Sequence, residues 1–467
     1  KTEANENVNN REILFPRGKG LGGSSSINGH LYVRGQPEDY NQWAQLGNTG
    51  WGYDDILPYF KKSEFKENGD EKYRGKNGPL FVSDIVEKHP LCEEFIESSK
   101  EIGVSIQEDY NAGNQEGIFY YQRTIKNGTR FSAYDAFLKP AIKRKNVKVT
   151  TNTIVLKIIF KEKKAIGLLC EKNKKQFKIF ANKEIILCAG AIGTPHLLQV
   201  SGIGHSNYLK NIGIQIIHEN KNVGEGLQDH YAVRVSNSIN LPITLNEKAR
   251  GYKLFLEIIK WFVLKKGLIS YSPAHVGAFL KSSPEIDLPD LQFVFTPASY
   301  TEGMIGKLQN IPGITCGVWQ SRPQSRGYVR ALSSHIKDAP LIQPNYLKET
   351  IDQDVLIQGV KICRDLLKTS KMKKISIKET LPGENIKTDS EILNFIKNNG
   401  ATVYHAIGSC RMGIDKDAVV DANLKLNGVE NLRVADASIM PTMPSGNTNA
   451  ATLMIAEKAS DLIKKDM

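Results

Sequence analysis

The stretch that most constrains this chain lies near its end, from Ala401 to Ile463. It opens on YHAIGSCRMG (404–413), a run dense in small residues around His405. Leu432 to Ala435 then read as a short strand, with charged Arg433 turned away from the buried face and Asp436 closing it. Pro441, Pro444, Ser445 and Gly446 punctuate a loop, and a helix follows from about Thr448 with apolar Ala451, Met454, Ile455 and Leu462 at helical spacing. A helix N-terminus just past a strand end presents unpaired N–H groups and partial positive charge, a place for an anion or an electron-rich ring.

The rest of the composition excludes more than it selects. A length of 467 residues predicts two or three domain-sized units, and 40% hydrophobic residues are enough for a sizeable core. The net charge of +12 comes from lysines in short runs mixed with acids, which reads as a solvated surface; no basic stripe with interleaved aromatics marks a nucleic-acid binder. Six cysteines without CxxC spacing exclude a zinc site, and Cys188, inside IILCAG, reads as a packed core thiol. Leu254 to Leu264 is the longest apolar stretch, broken by Glu257 and Lys260 and too short to cross a bilayer. Asn127-Gly128-Thr129 is a glycosylation acceptor only if the protein is secreted. Gly18 to Gly23 match G-x-G-x-x-G in form, but Pro16-Arg17 stands where a strand should feed the glycines, so the dinucleotide fingerprint is not expected there.

The stretch closing the chain resembles the C-terminal region of the glucose–methanol–choline (GMC) flavin oxidoreductases, with wording in SGNTNA similar to the insect glucose-dehydrogenase-like branch. The likeness recurs in RGKGLGGSSSINGHLYVRG (17–35), in EIILCAGAIGTPHLLQVSGIG (184–204) and in VGEGLQDH (223–230), where Gly226 replaces the usual Asn. It implies an α/β fold of mixed α+β character. A FAD-binding domain, lacking the N-terminal fingerprint of the family, would interleave with an antiparallel-sheet substrate domain. The implied division is a FAD-binding part over 1–230 with a lid near 36–90, a substrate part over 231–400, and a return to the FAD part over 401–467. The alternative for residues 36–90 is an ordinary packed helix pair. The expectation is that the sequence is a fragment of a longer protein, with an intrinsically shortened form as the alternative.

The resemblance also implies roles. His405 and Asn447 are the catalytic pair, with His405 taking the hydroxyl proton and Asn447 holding the same oxygen. Gly23, Ser24, Asn28, Gly29, Leu31, Val155, Asp436, Ala437 and Thr448 lie along the cofactor, and no metal is expected. Ile27 stands where some relatives carry a flavin-linked histidine, so FAD is expected to bind non-covalently. At Thr194-Pro195 a helix is expected to start with Thr as N-cap and Pro in its first turn, and His196 reads as a packing histidine. The implied activity is oxidation of a sugar or small alcohol with a quinone-like acceptor, in a secreted protein without stable membrane insertion. Two alternatives stay open: an oxygen-using oxidase of a steroid or aryl alcohol, and a flavin-free binding remnant.

Overall fold

The computed structural model describes residues 1–301 and 306–467. Two helices come early, α1 (Pro37–Gln45) and α2 (Tyr53–Ser63). Tyr40, Trp43, Trp51 and Phe60 are fully buried in the cluster that also holds Ala451, Met454 and Ile455 of the last helix. Strand β1 (Gly117–Tyr120) follows, then a three-stranded antiparallel meander of β2 (Thr153–Lys161), β3 (Lys164–Lys172) and β4 (Lys175–Phe180), turning where the polar Lys161–Lys164 and Glu171–Lys175 segments predict.

Strand β5 (Ile185–Leu187) enters helix α3 (Gly190–Val200). The helix begins one turn before the expected Thr194, so Pro195 lies inside it. A proline has no N–H, which frees the carbonyl four residues back. Ser409 Oγ takes that place, donating to the Ala191 carbonyl at 2.5 Å. Thr194 is not the cap; its hydroxyl accepts from Ala189 N and donates to Asp436 Oδ2. Cys188, expected in the core, is exposed. It continues the alternation of β5, in which Ile185 and Leu187 turn inward and Ile186 and Cys188 outward.

A large antiparallel sheet makes the second half. Its strands are β6 (Tyr231–Ile239), β7 (Val276–Leu280), β8 (Leu291–Thr296), β9 (Gly313–Gln320) and β10 (Ser376–Leu381), and helix α4 (Gly251–Leu264) lies between β6 and β7 in the chain. The order across the sheet is β10-β6-β9-β8-β7-β1, so an edge strand comes from the part of the chain assigned to the cofactor domain, and Ala401–Thr402 adds to β6. Phe293 faces Val318 and Phe295 faces Cys316 across β8 and β9. That face packs on helix α5 (Thr350–Leu367). Because strand side chains alternate, Gln292 and Trp319, directly paired, point to the other face. Gly327–Arg330 does not join this sheet; it pairs with Glu225–Leu227 on one side and Leu341–Gln343 on the other in a small sheet of its own.

The chain closes with β11 (Leu432–Val434), parallel to β5, and helix α6 (Thr448–Lys465). Arg433 does turn from the apolar face, but not to water. It is 2% exposed and pairs with Glu184 at 2.7 Å and with Asp466, and it donates to the Asn423 carbonyl. A second buried ion cluster fixes the start of the chain. Glu64 bridges Arg34 and Arg74 at 2.9 Å each, all three essentially without exposure, and Arg74 reaches Asp109 at 2.8 Å. Burial pushes the Glu64 carboxyl up, but the two guanidinium groups outweigh it and hold it at about 2.

Removing one partner of such a cluster strands the others in a low-dielectric interior. Glu64→Gln is expected to cost about 3–5 kcal/mol of unfolding free energy, read by denaturant titration. A loss below about 1 kcal/mol would show that Arg34 and Arg74 find other partners.

Candidate active site

The two residues singled out as a catalytic pair, 42 positions apart in the chain, do meet: Asn447 Nδ2 lies 3.0 Å from His405 Nε2. Asn447 is the N-cap residue of α6, yet its side chain makes no capping bond. It turns into the site instead, and its Oδ1 accepts from Gln292 Nε2 at 3.1 Å. Gln292 Nε2 also reaches the Tyr121 hydroxyl at 2.9 Å, which donates to the Phe293 carbonyl. The first turn of α6 is thus left with donors that no side chain of its own cap satisfies.

On its other side His405 meets a second histidine. His405 Nδ1 and His230 Nδ1 are 2.8 Å apart, with the rings near perpendicular at 87°. His230 Nε2 lies 2.7 Å from the Ser321 carbonyl. A carbonyl only accepts, so His230 carries its proton on Nε2 and offers the Nδ1 lone pair. His405 must then donate from Nδ1, which leaves a lone pair on its Nε2. Asn447 Nδ2 donates to that lone pair. The relay from Ser321 to Gln292 therefore has one consistent set of protons, and in it His405 is a neutral imidazole whose free nitrogen faces Asn447.

The backbone of His405 is held as firmly. Its N–H donates to Asp229 Oδ1 at 2.6 Å, and Asp229 Oδ2 accepts from the Tyr346 and Thr402 hydroxyls. Tyr404 takes a left-handed φ of 70°, and its N–H bonds to Thr402 Oγ1. Burial pushes the Asp229 carboxyl up, against these donors and nearby Arg17. Arg17 donates to the Tyr404 carbonyl at 3.0 Å. Burial, then His230, then Arg17 hold the His405 imidazole well below its usual range, and burial alone brings His230 down to about 4. Both rings stay neutral at ordinary pH.

The other expected site residues divide. Gly23 and Ser24 sit in a short turn with Gly20 and Gly22; Gly20 and Gly23 have positive φ, and nothing lies within 4 Å of where their side chains would begin. Gly190, at the start of α3, shows the same open space at φ 77°. Open left-handed backbone is what close approach of a nucleotide requires, so these turns fit FAD. Asn28 is held by Arg130, which donates to its side chain and its carbonyl at 2.8 Å. Gly29 abuts Pro273. Leu31 is buried in a small cluster with Val33, Tyr110 and Phe119, so only its backbone is free to serve a ligand. The Asp436 carboxylate is spent on protein: Oδ2 accepts from Gly190 N and Thr194, Oδ1 from Ser438 N and its hydroxyl. Ala437 opens the short turn after it, and Thr448 is the buried first residue of α6. Val155 lies half-buried on β2, paired with Cys170 of the meander. Gly226 has φ 78°, a conformation open to Gly or Asn, so the turn survives the exchange.

Sequence reasoning missed His230, Asp229, Gln292 and Trp319. VGEGLQDH carried two of them in plain view. Gln292 lies in β8, and only its register with Trp319 shows which face it takes. Trp319 Nε1 and Gln292 Oε1 are buried without partners, and the Trp319 ring centroid is 6.2 Å from that of His405.

Profiles of the GMC oxidoreductase family match residues 2–232 and 323–456. An alcohol dehydrogenase [acceptor] of Pseudomonas putida is 39% identical over all of this chain and 86% of its own length. Human mitochondrial choline dehydrogenase is 38% identical over 99% of this chain and 78% of its own length. Among solved structures, pyridoxine 4-oxidase from Mesorbium loti superposes with a TM-score of 0.90 at 29% identity, covering 99% of this chain and 87% of its own. A FAD-dependent oxidoreductase from Chaetomium thermophilum does so at 0.92 and 25% identity, covering 100% and 89%. The chain belongs to the GMC oxidoreductase family, whose members oxidise alcohols with FAD.

Proposed function

We propose that this protein oxidises a neutral alcohol, with His405 as the base that takes the hydroxyl proton and a quinone-like acceptor for the electrons. The observation that carries this reading is the relay through His230, which leaves the lone pair of His405 on Nε2, beside the Asn447 amide. A substrate hydroxyl entering there donates to Nε2 and accepts from Asn447 Nδ2, which fixes its oxygen. FAD, when bound there, would supply the acceptor for the hydride. The turns at Gly20–Ser24, Asn28–Gly29 and Gly190, the segment Asp436–Ala437 and the start of α6 at Thr448 would hold it. Ile27 is exposed at the position of the family's flavin-linked histidine and offers no nucleophile, so the cofactor would be released intact by denaturation.

His405 is a weak base at rest, which suits its task. Its proton arrives only as the carbon gives up the hydride, and the neighbouring His230 lone pair accepts the Nδ1–H throughout. The substrate class follows from the polar groups left over. Trp319 Nε1–H can donate and Gln292 Oε1 can accept, a match for a further hydroxyl, as in a sugar or a small polyol. Asp229 and Asp39, whose carboxylates bond to site segments, are both spent on protein donors, which favours a neutral substrate over a cation. The dehydrogenase reading rests on the alcohol and choline dehydrogenases among the relatives.

The experiment is anaerobic absorption of the holoprotein with an alcohol panel that includes glucose, followed by air or a quinone. Flavin bands that bleach with an alcohol and return only with quinone are expected. Bleaching by none of the neutral alcohols contradicts the substrate class, and rapid return in air contradicts the acceptor. His405→Ala is expected to slow flavin reduction by roughly 10²–10⁴-fold with FAD content near normal. Unchanged reduction would exclude His405 as the base.

The pH dependence tests the relay. Since the His405 imidazole is held well below its usual range, reduction is expected to stay level as pH falls through 6.5 and to drop only below it. His230→Leu removes the acceptor that pins the Nδ1 proton and is expected to slow reduction about 10–100-fold. Unchanged reduction would show that His230 acts by packing alone.

A further inference from the structure

Helix α4 is built inside out for a surface helix. None of its 14 residues is buried. Tyr252, Phe255, Leu256, Ile259, Phe262 and Val263 recur at helical spacing and form one stripe, and that stripe faces outward. Tyr252 and Val263 are each 72% exposed, Phe262 66% and Phe255 62%. The polar groups face the protein instead. Glu257 accepts from Leu268 N at 2.7 Å, Lys260 pairs with Glu87, and Trp261 Nε1 donates to the Gly128 carbonyl at 2.8 Å. Leu264 at the end of the helix, Ile269 and Val86, the last next to Glu87 in the chain, are exposed as well. An exposed apolar face of this extent calls for an occupant.

We propose that α4 docks this protein on an anionic lipid surface, lying flat in the headgroup region without crossing the bilayer. Charge selects this occupant. Lys253, Lys265 and Lys266 are exposed on and just after the helix, and the whole chain carries a net charge of +12. Lysine is depleted from protein–protein interfaces but attracts anionic headgroups, and an amphipathic helix with lysines beside an aromatic and aliphatic stripe is the form that lies in the interface plane. No helix among the described residues is long and apolar enough to cross a membrane, so the contact is peripheral. A cavity of about 650 Å³ opens beside the C-terminal end of α4, between Leu264, Lys265 and Val86, and is lined by Arg123. Arg123 bridges to Leu31, in the segment assigned to the cofactor. On the separate reading that the acceptor is quinone-like, docking brings this mouth within reach of an acceptor dissolved in the bilayer.

The test is flotation of the holoprotein with vesicles of phosphatidylcholine alone and of phosphatidylcholine mixed equally with phosphatidylglycerol. The protein is expected to float with the mixed vesicles and to stay in the load with phosphatidylcholine alone. Phe255→Asp with Phe262→Asp should lower the floated fraction at least tenfold while turnover of a soluble alcohol with a soluble dye stays unchanged. Lys253→Glu with Lys265→Glu and Lys266→Glu, which keeps the apolar stripe, should weaken flotation on the mixed vesicles alike. Failure of the unaltered protein to float with the mixed vesicles overturns the proposal. So does equal flotation of the double Phe variant, or cross-linking of α4 to α4 in a dimer that floats with neither. Flavin reduction by alcohol is untouched by any of these results, so the docking and the catalytic readings fail separately.

Discussion

One chain of hydrogen bonds, from the Ser321 carbonyl through His230, His405 and Asn447 to Gln292, governs what this site can do. Its direction is set at one end by a group that only accepts. Every proton along it then has one place, and the consequence falls on His405 Nε2. A lone histidine in a protein interior is ordinarily a packed side chain; the proposal that this one is a base rests on a second histidine that decides its tautomer.

Much of the surrounding fold can be understood as the support for that relay. The large antiparallel sheet is apolar towards α5 and turns Gln292 and Trp319 to the other side. The segment carrying His405 is pinned to Asp229 by its own N–H and through Thr402, and Ser409 ties it to α3 at the carbonyl freed by Pro195. Asp436 joins the starts of α3 and of the turn after β11. All of these bonds but the partly buried one from Gly190 N are buried, where leaving one unmade costs about 1–3 kcal/mol, so the three chain segments stand in a fixed relation before any ligand arrives.

The sequence made His405, Asn447 and the last helix legible because small residues, prolines and a helix start mark them locally. The meander is legible from the β-rich runs Val147–Phe160, Ala165–Cys170 and Phe177–Ala189 with polar turns between them. What stayed hidden depends on partners far away in the chain. His230 meets His405 across 175 positions, and Gln292 faces the site only by virtue of its register with Trp319. Arg433 reads as a solvent-facing charge until Glu184 and Asp466 are seen beside it. Thr194-Pro195 carries a local signal for a helix start, yet the helix runs through it, because Ser409 supplies the hydrogen bond that the proline omits. The apolar stripe of α4 was visible as an interrupted hydrophobic run; that Glu257 and Lys260 face inward was not.

The most direct measurement is nitrogen NMR of the holoprotein with ¹⁵N-labelled histidine, with the His405 ring assigned by comparison with His405→Gln. The account predicts a neutral ring at pH 6.5, protonated on Nδ1 and bare on Nε2. A proton on Nε2, or a ring half-charged near pH 6.5, would contradict the relay and with it the assignment of His405 as the base.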